Sequence, residues 1–423
     1  MTYRYIKDLI TRKIKFGNGF EKELQRIIEL NNCSKEELYE LKNLEFVKQY
    51  RNAFENSAFY KDFYQKHGLG LQSIRDLLDI SKIPIVTKSD VKEFGEDFLT
   101  KSKFTSFKAY SSGTSGTPLK VYRDFASTIK ENAYVHFFQN MHGYKLGDPV
   151  VSLRGNLDRK ILSYHDKINN VLYMSSFHLK KDRIDEYYKI IKEFQPKVIR
   201  AYPSSMHILA TELYKSGKEL RIPIAFTSSE VLHNFQKEII EKVLNTKIFD
   251  WYGNAERTVA LGQCQDSLYR ELPLYSHVEV ENNHLITTSL INSAFPLIRY
   301  KVDDIIKLAP NCKEEFIVQA IEGRDDDYIV LKNGHRIGRL DLAFKKIKRL
   351  LAAQIIQKRK DEILVNLIPD KGFSRADLNA IEKNLRDLIG IECGILFENI
   401  ESNQLIRTKK GKFNLVISKM NGM

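Results

Sequence analysis

Apolar residues recur near helical spacing through most of the first hundred positions, interrupted by short Gly and Pro breaks, and Lys35 to Phe54 predicts a long helix. From Phe107 the pattern changes to short apolar runs, small-residue turns and amphipathic segments. Asp182 to Phe194 puts Ile184, Tyr187, Tyr188, Ile191 and Phe194 on one helical face, and Lys197 to Tyr202 predicts a strand that Pro203 ends. Ser204 is placed to cap the next helix, where Met206, Leu209, Ala210 and Leu213 repeat the spacing. Ile222 to Thr227 and Lys247 to Trp251 predict two more strands with a helix between them. Strands alternating with helices imply an α/β layer architecture.

A second, smaller unit begins near Arg324. The pattern predicts a helix around Leu340 to Leu351, then strands Ala353 to Gln357 and Glu362 to Ile368, joined by the charged Lys358 to Asp361. Ser374 is placed to cap a helix carrying Leu378, Ile381 and Leu385, and Gly390 to stop it. The expected organisation is an α/β fold with a large multilayer N-terminal domain of sheets and helices, residues 1–322, and a small α+β C-terminal domain, residues 323–423.

Composition narrows the class. A chain of 423 residues with 43% hydrophobic content is long enough for two or three domains. No window reaches the roughly 18 uninterrupted apolar residues of a spanning helix, and Arg4, Lys7, Asp8, Arg12 and Lys13 break up any signal-peptide core, so a cytoplasmic protein is expected. Cys33, Cys264, Cys312 and Cys393 form no CxxC pair, which argues for reduced thiols. The net charge of +13 raises nucleic acid as a partner, but acidic residues alternate with basic ones along most of the chain. The densest basic stretches, Lys345 to Arg349 and Lys358 to Lys360, fall in amphipathic segments, so a solvated basic surface or a pull on anionic substrates is expected instead.

Chemistry concentrates in a few segments. In Tyr110-Ser111-Ser112-Gly113-Thr114-Ser115-Gly116-Thr117-Pro118-Leu119-Lys120, two glycines permit a tight path while hydroxyls and successive N–H groups can donate to phosphate oxygens. It is neither a Walker A loop nor a dinucleotide GxGxxG. The loop resembles the phosphate-binding signature of the adenylate-forming superfamily, which includes acyl-CoA synthetases, luciferases and nonribosomal peptide adenylation domains; Ser111 to Thr117 and Lys120 would then bind ATP phosphates. Further segments match that family in order. Trp251-Tyr252-Gly253-Asn254-Ala255-Glu256 resembles its YGxTE motif, which implies Tyr252, Gly253 and Asn254 beside the adenine and Glu256 as a catalytic Mg²⁺ ligand. Arg299-Tyr300-Lys301-Val302-Asp303-Asp304 resembles RYRTGD, with Asp304 on the ribose hydroxyls and Val302-Asp303 replacing the usual Thr-Gly. Gly323-Arg324-Asp325-Asp326-Asp327 resembles the inter-domain hinge, with Asp326 the hinge residue and Arg324 near the nucleotide. Arg407-Thr408-Lys409-Lys410-Gly411-Lys412 resembles PKTxxGK, which implies that Lys412 bridges the carboxylate and the α-phosphate.

Within the superfamily the resemblance is to the phenylacetate-CoA ligase and CapK-type branch, through Tyr110 to Pro118, Thr227-Ser228-Ser229-Glu230 and Asn56-Ser57-Ala58-Phe59-Tyr60. It implies that Ser228, Ser229 and Glu230 belong to the adenine and acyl pocket and that Tyr202, Pro203 and His207 line its acyl side. Some relatives hold a structural zinc here; Cys264, His277 and Cys312, with Glu314 where another cysteine would stand, fall short of a four-ligand cage, which leaves Mg²⁺ as the expected metal. The implied reaction is ATP-dependent formation of an acyl-AMP followed by transfer to an acceptor. The acceptor is the thiol of CoA or an amine of a sugar or amino acid. The segment Arg407 to Phe413 and the compact length favour the CapK type, a group associated with surface polysaccharide synthesis. A non-catalytic nucleotide-binding scaffold is the alternative of another class, suggested by Val302-Asp303.

Overall fold

A computed structural model describes residues 9–420 apart from 10–11, 14–15, 18, 112–118, 155–156, 158–160, 311–315, 325–327, 339, 345–346, 348, 408–412 and 419; for Arg154, Gly323, Arg324 and Asn403 only the backbone is described. The chain packs as two compact units, one of residues 1–113, 117–145 and 251–321, the other of 114–116, 146–250 and 322–423.

The first unit opens with helices Phe20–Leu30, Lys35–Asn56 and Ala58–Lys66. Ser34 and Glu37 cap the second reciprocally, each side chain accepting from the other's backbone N–H. Its inner face, Phe46, Gln49, Tyr50 and Ala53, joins Tyr60, Tyr64, Phe98 and Phe295 in one core. Gln49 Nε2 donates to the carbonyls of Ser289 and Asn292, and the Ile298 N–H donates to Tyr60 Oη, so these helices buttress the segment leading into the Arg299 motif. Strands β1 (Phe107–Tyr110) and β2 (Lys120–Arg123) follow as an antiparallel hairpin, and Asp124 caps helix Phe125–Met141.

The second unit begins as an α/β layer. Strands β3 (Val150–Arg154), β4 (Ser163–Asp166), β5 (Val171–Ser175), β6 (Val198–Ala201) and β7 (Ile224–Ser228) lie in the order β7-β6-β3-β5-β4, parallel except for the edge strand β4. Helices Ile184–Phe194, Pro203–Lys215 and Asn234–Leu244 bury their apolar faces in its core. The predicted cap at Ser204 is corrected. Tyr202 occupies the N-cap position and Pro203 the first turn, where its fixed φ and missing N–H fit, so Ser204 already lies inside the helix.

After β8 (Lys247–Gly253) the chain returns to the first unit. The last three residues of β8 pair antiparallel with β9 (Ala260–Gln263), and the ladder continues through β10 (Tyr269–Glu271) to a meander of β11 (Ser276–Glu281), β12 (His284–Ser289), β13 (Tyr300–Leu308) and β14 (Ile317–Arg324).

The C-terminal part of the second unit holds the small pair β15 (Ile329–Val330) and β16 (Arg336–Ile337), then a four-stranded sheet of β17 (Leu350–Arg359), β18 (Glu362–Pro369), β19 (Gly394–Asn399) and β20 (Val416–Ser418), ordered β19-β18-β17-β20. Helix Arg375–Ile389 is capped reciprocally by Ser374 and Asp377 and stops at Gly390, whose φ of 75° suits glycine. Its Ile381 and Leu385 close a core with Ile355, Val365 and Leu367. The helix predicted over Leu340 to Leu351 is also corrected: residues Leu340–Phe344 form a 3-10 turn and β17 begins at Leu350. The predicted strand Ala353 to Gln357 lies within β17, and because the first eight residues of β17 are all buried, no alternation marked Leu350 and Leu351 as strand rather than helix. Among the described residues no helix is long and apolar enough to cross a membrane.

Candidate active site

The predicted phosphate loop connects the β1–β2 hairpin. Residues 112–118 lie outside the described residues, but its base is tied: the Ser111 N–H donates to the Leu119 carbonyl at 2.9 Å and the Leu119 N–H donates to Ser111 Oγ at 3.0 Å. Lys120, opposite Tyr110 in the hairpin, lies 3.6 Å from Glu96 Oε1 and over the Tyr122 ring.

In the same unit Tyr252 Oη donates to Asp304 Oδ2 at 2.7 Å, joining two motifs 52 positions apart. Asp304 is buried, and it faces inward because β13 alternates strictly, with Tyr300, Val302, Asp304 and Ile306 on the buried side. A Cβ on Gly253 would stand 2.9 Å from Trp251 Nε1, so glycine is what lets β8 pass its own Trp251. The turn that follows is held from several sides. Asn254 Nδ2 donates to Thr258 Oγ1 at 2.7 Å, and the Thr258 N–H returns a bond to Asn254 Oδ1 at 2.9 Å. Arg123 Nη2 donates to the Ala255 carbonyl, and Ser289 Oγ to that of Arg257, which adopts φ 58°. The buried Glu256 sits at the centre of this turn. Burial, and next the Arg257 charge, push the Arg123 guanidinium down to about 10.

Asp303 faces the other way and pairs with Lys88 Nζ at 2.6 Å. Val86 exchanges backbone bonds with Arg299 and Lys301, and that bridge sets Lys88 beside Asp303. Arg299, at φ 49°, donates bidentately to Glu279 and also to Glu281 and the Ile83 carbonyl, so the first residue of the motif is a structural hub.

The second unit carries the remaining predicted positions. Ser228 ends β7, and Ser229 adopts φ 73°, a left-handed conformation uncommon for a residue with a side chain. This turn sends Glu230 back to accept from the Ser204 N–H at 3.0 Å and the Phe413 N–H at 2.9 Å. Tyr202 and Pro203 begin the helix that contains His207. His207 is buried, edge-on to Phe235, and burial pushes its imidazole down to about 4, so it is neutral at pH 7. Arg407 Nη1 donates to the Ser176 carbonyl at 3.0 Å. Lys412 and Asp326 lie outside the described residues, and Arg324 ends β14 with only its backbone described.

Lys88, Arg123 and Glu279 had no role in the sequence reading. Lys88 had a local signal, since Thr87 and Asp90 form a capping box around it, but its partner 215 positions away had none.

Among the described residues no group of three or more His, Cys, Asp or Glu could hold a metal. A lone carboxylate such as Glu256 suits Mg²⁺ that arrives already bound to nucleotide phosphates, because Mg²⁺ keeps several waters and needs only one or two protein carboxylates.

Comparison with known proteins fits this arrangement. Residues 329–419 match the family described as the CapK C-terminal domain. Protein CapK of Staphylococcus aureus is 25% identical over 402 residues, covering 90% of this chain and 88% of that one. Phenylacetate-coenzyme A ligase of Pseudomonas putida is 23% identical over 400 residues, covering 86% and 90%. The fold is that of 2-hydroxyisobutyryl-CoA ligase in the postadenylation state in complex with R3-HIB-AMP, with a TM-score of 0.67 at 17% identity over 88% of this chain and 89% of that chain. The chain shares the mixed α/β fold of adenylate-forming CoA ligases. Over most of its length it is similar to CapK and to the phenylacetate-CoA ligases.

Proposed function

We propose that this protein activates a carboxylic acid with ATP and transfers the acyl group to an amine acceptor in surface polysaccharide synthesis, capsule or O-antigen, as a CapK-like ligase. In the first step a carboxylate oxygen attacks the α-phosphorus. An O–P bond forms, the bond from the α-phosphorus to the bridging oxygen breaks, and pyrophosphate leaves with the electron pair. Asp304 and Tyr252 hold the ribose and adenine, the Ser111 to Thr117 loop and Lys120 hold the phosphates, and Lys412 neutralises the approaching anions. Glu256 would hold Mg²⁺ together with the phosphates, and the ion would supply positive charge against the developing charge on pyrophosphate. Ser228, Ser229 and Glu230 border the adenine and acyl pocket, with Tyr202, Pro203 and His207 on its acyl side. Residues 323–423 act as the mobile domain about Asp326, a reading supported by the core that residues between Ile329 and Val416 close among themselves, while Leu351, Ile368 and Phe413 join the core of the α/β layer.

The observation that carries this reading is the Tyr252–Asp304 hydrogen bond, which brings two nucleotide motifs together beside the fixed Glu256 turn. The CapK branch is supported by the C-terminal match over 329–419. Transfer to CoA is the second reading, supported by the Pseudomonas putida ligase, which aligns over 400 residues. The test is carboxylate-dependent exchange of labelled pyrophosphate into ATP across aromatic, fatty, amino and uronic acids, with Lys412→Ala beside the wild type. Exchange that Lys412→Ala abolishes while ATP still binds is the expected result. Silence across the panel with ATP binding intact favours an unusual carboxylate or a scaffold.

A further inference from the structure

Both neighbours of Glu256 are tied to one stretch of chain, residues 123–131. On the N-terminal side the Ala255 carbonyl accepts from Arg123 Nη2. On the C-terminal side Arg257 turns back into the protein and is 6% exposed. Its Nη1 lies 3.4 Å from both Ser127 Oγ and Thr128 Oγ1, and its Nε lies 3.9 Å from Glu131 Oε2. Glu131 stands one turn on from Ser127 and Thr128 in helix Phe125–Met141, and its Oε2 also accepts from Tyr275 Oη. Ser289 Oγ holds the Arg257 carbonyl at 2.8 Å, and the reciprocal Asn254–Thr258 pair closes the turn.

The backbone makes the choice of residue at 257 informative. At φ 58° a glycine fits freely, whereas a residue with a Cβ costs conformational energy that its surroundings must offset. Arginine keeps that conformation through a buried side chain whose contacts run to the helix and not to solvent.

We propose that Arg257 is a positioning residue for Glu256: its guanidinium anchors the turn to helix Phe125–Met141 and so fixes where the carboxylate can meet a nucleotide-bound cation. The proposal rests on the reading of Glu256 given above. Removing a residue that orients a metal-binding group typically lowers metal affinity by about 10- to 100-fold. The guanidinium therefore matters most to the gain in ATP binding that Mg²⁺ brings.

Calorimetric titration with ATP, in Mg²⁺ and in EDTA, gives that gain as a ratio of dissociation constants, with thermal melts to establish folding. Arg257→Gly leaves the turn's conformation accessible and removes the guanidinium, so it should cut the gain about tenfold or abolish it. Arg257→Lys keeps a charge without the fork and should fall between Arg257→Gly and the wild type. In a Glu256→Gln background, Arg257→Gly should cost MgATP binding less than about twofold, because the group it positions is gone. Equal weakening with and without Mg²⁺, a gain within about twofold of wild type, or the same cost in both backgrounds overturns the proposal. If Arg257→Gly does not fold, Glu131→Gln is judged on the same ratio, with about a threefold loss expected and no loss counting against the anchor. If the wild type gains nothing from Mg²⁺, or Glu256→Gln keeps the gain, the reading of Glu256 fails and the proposal with it. A lost gain in Glu256→Gln beside an unaltered Arg257→Gly sinks the proposal alone.

Discussion

Asp304→Asn is the sharpest test of the nucleotide site. The carboxylate is 8% exposed and already accepts Tyr252 Oη at 2.7 Å, so the substitution changes little in volume and much in hydrogen bonding. One oxygen becomes an NH₂ group that donates and cannot accept, and the charge disappears. If both ribose hydroxyls donate to Asp304, the variant keeps one of those bonds in neutral form and loses the other. Bonds to a charged acceptor contribute about 1.5–3 kcal/mol and neutral ones about 0.5–1.5 kcal/mol, so two charged bonds reduced to one neutral bond lose about 3–4 kcal/mol at central values. That is about a 150- to 800-fold rise in the dissociation constant for ATP. Tyr252→Phe removes a single uncharged donor and should cost about 1 kcal/mol, or roughly fivefold. Calorimetric titration with ATP, alongside thermal melts to establish folding, separates the two. A folded Asp304→Asn that binds ATP within about fivefold of wild type, or no more weakly than Tyr252→Phe, refutes the ribose assignment.

The Lys88–Asp303 pair, with side chains 25% and 33% exposed, should show a coupling of about 0.5–1 kcal/mol in a Lys88→Met, Asp303→Asn double-mutant cycle followed by urea unfolding; additive single effects would mean that the 2.6 Å contact carries no energy. His207 gives a pH dependence of definite sign. Its folded value of about 4 lies below the ordinary histidine value of 6.5, so the unfolded chain takes up the proton first. Its contribution to stability is full above about pH 6.5 and is lost toward pH 4, by up to about 1.4 kcal/mol per pH unit. His207→Leu should flatten the fall in urea midpoint between about pH 7 and pH 5, and parallel curves for variant and wild type would contradict the neutral, buried imidazole. His277, pushed down to about 4 by burial, acts in the same direction and contributes to the remaining slope.

What was legible in the sequence was whatever local spacing or demanding chemistry imposes. The helix that Ser374 caps and Gly390 ends carries its signals within its own span, and the motif around Tyr252 needs its residue types at short intervals. The first hundred residues showed no chemistry, and their role as a buttress of the Ser289 to Ile298 segment depends on partners some 240 positions away. The N-terminus of helix Pro203–Lys215 failed for a related reason. Ser204 was the polar residue a local rule selects, while the acceptor that serves that end is Glu230, 26 positions on, delivered by the strained turn at Ser229. A window of a few residues cannot contain such a cap. The strand Ala353 to Gln357 lies within β17, and only its start, Leu350 and Leu351, was assigned to the preceding helix, because burial on both faces erased the alternation that distinguishes strand from helix.

The departure at Val302-Asp303 illustrates how far a motif constrains its surroundings. Two adjacent carboxylates on a strand point to opposite faces, and a slip of one residue would exchange them, putting Asp303 against Tyr252 and Asp304 in contact with Lys88. Register decides which acid serves the nucleotide. Here Val302 lies in the core at 5% exposure and Val86 pairs alongside Tyr300, so Asp304 shares the inward face with Val302 and Tyr300. Lys88 neutralises Asp303 on the outward face. Replacing Thr-Gly with Val-Asp thus removes a flexible position and substitutes a buried anchor and an outward ion pair, both of which favour the same register. The departure leaves the Tyr252–Asp304 contact intact, so it offers no ground for preferring a scaffold to an enzyme.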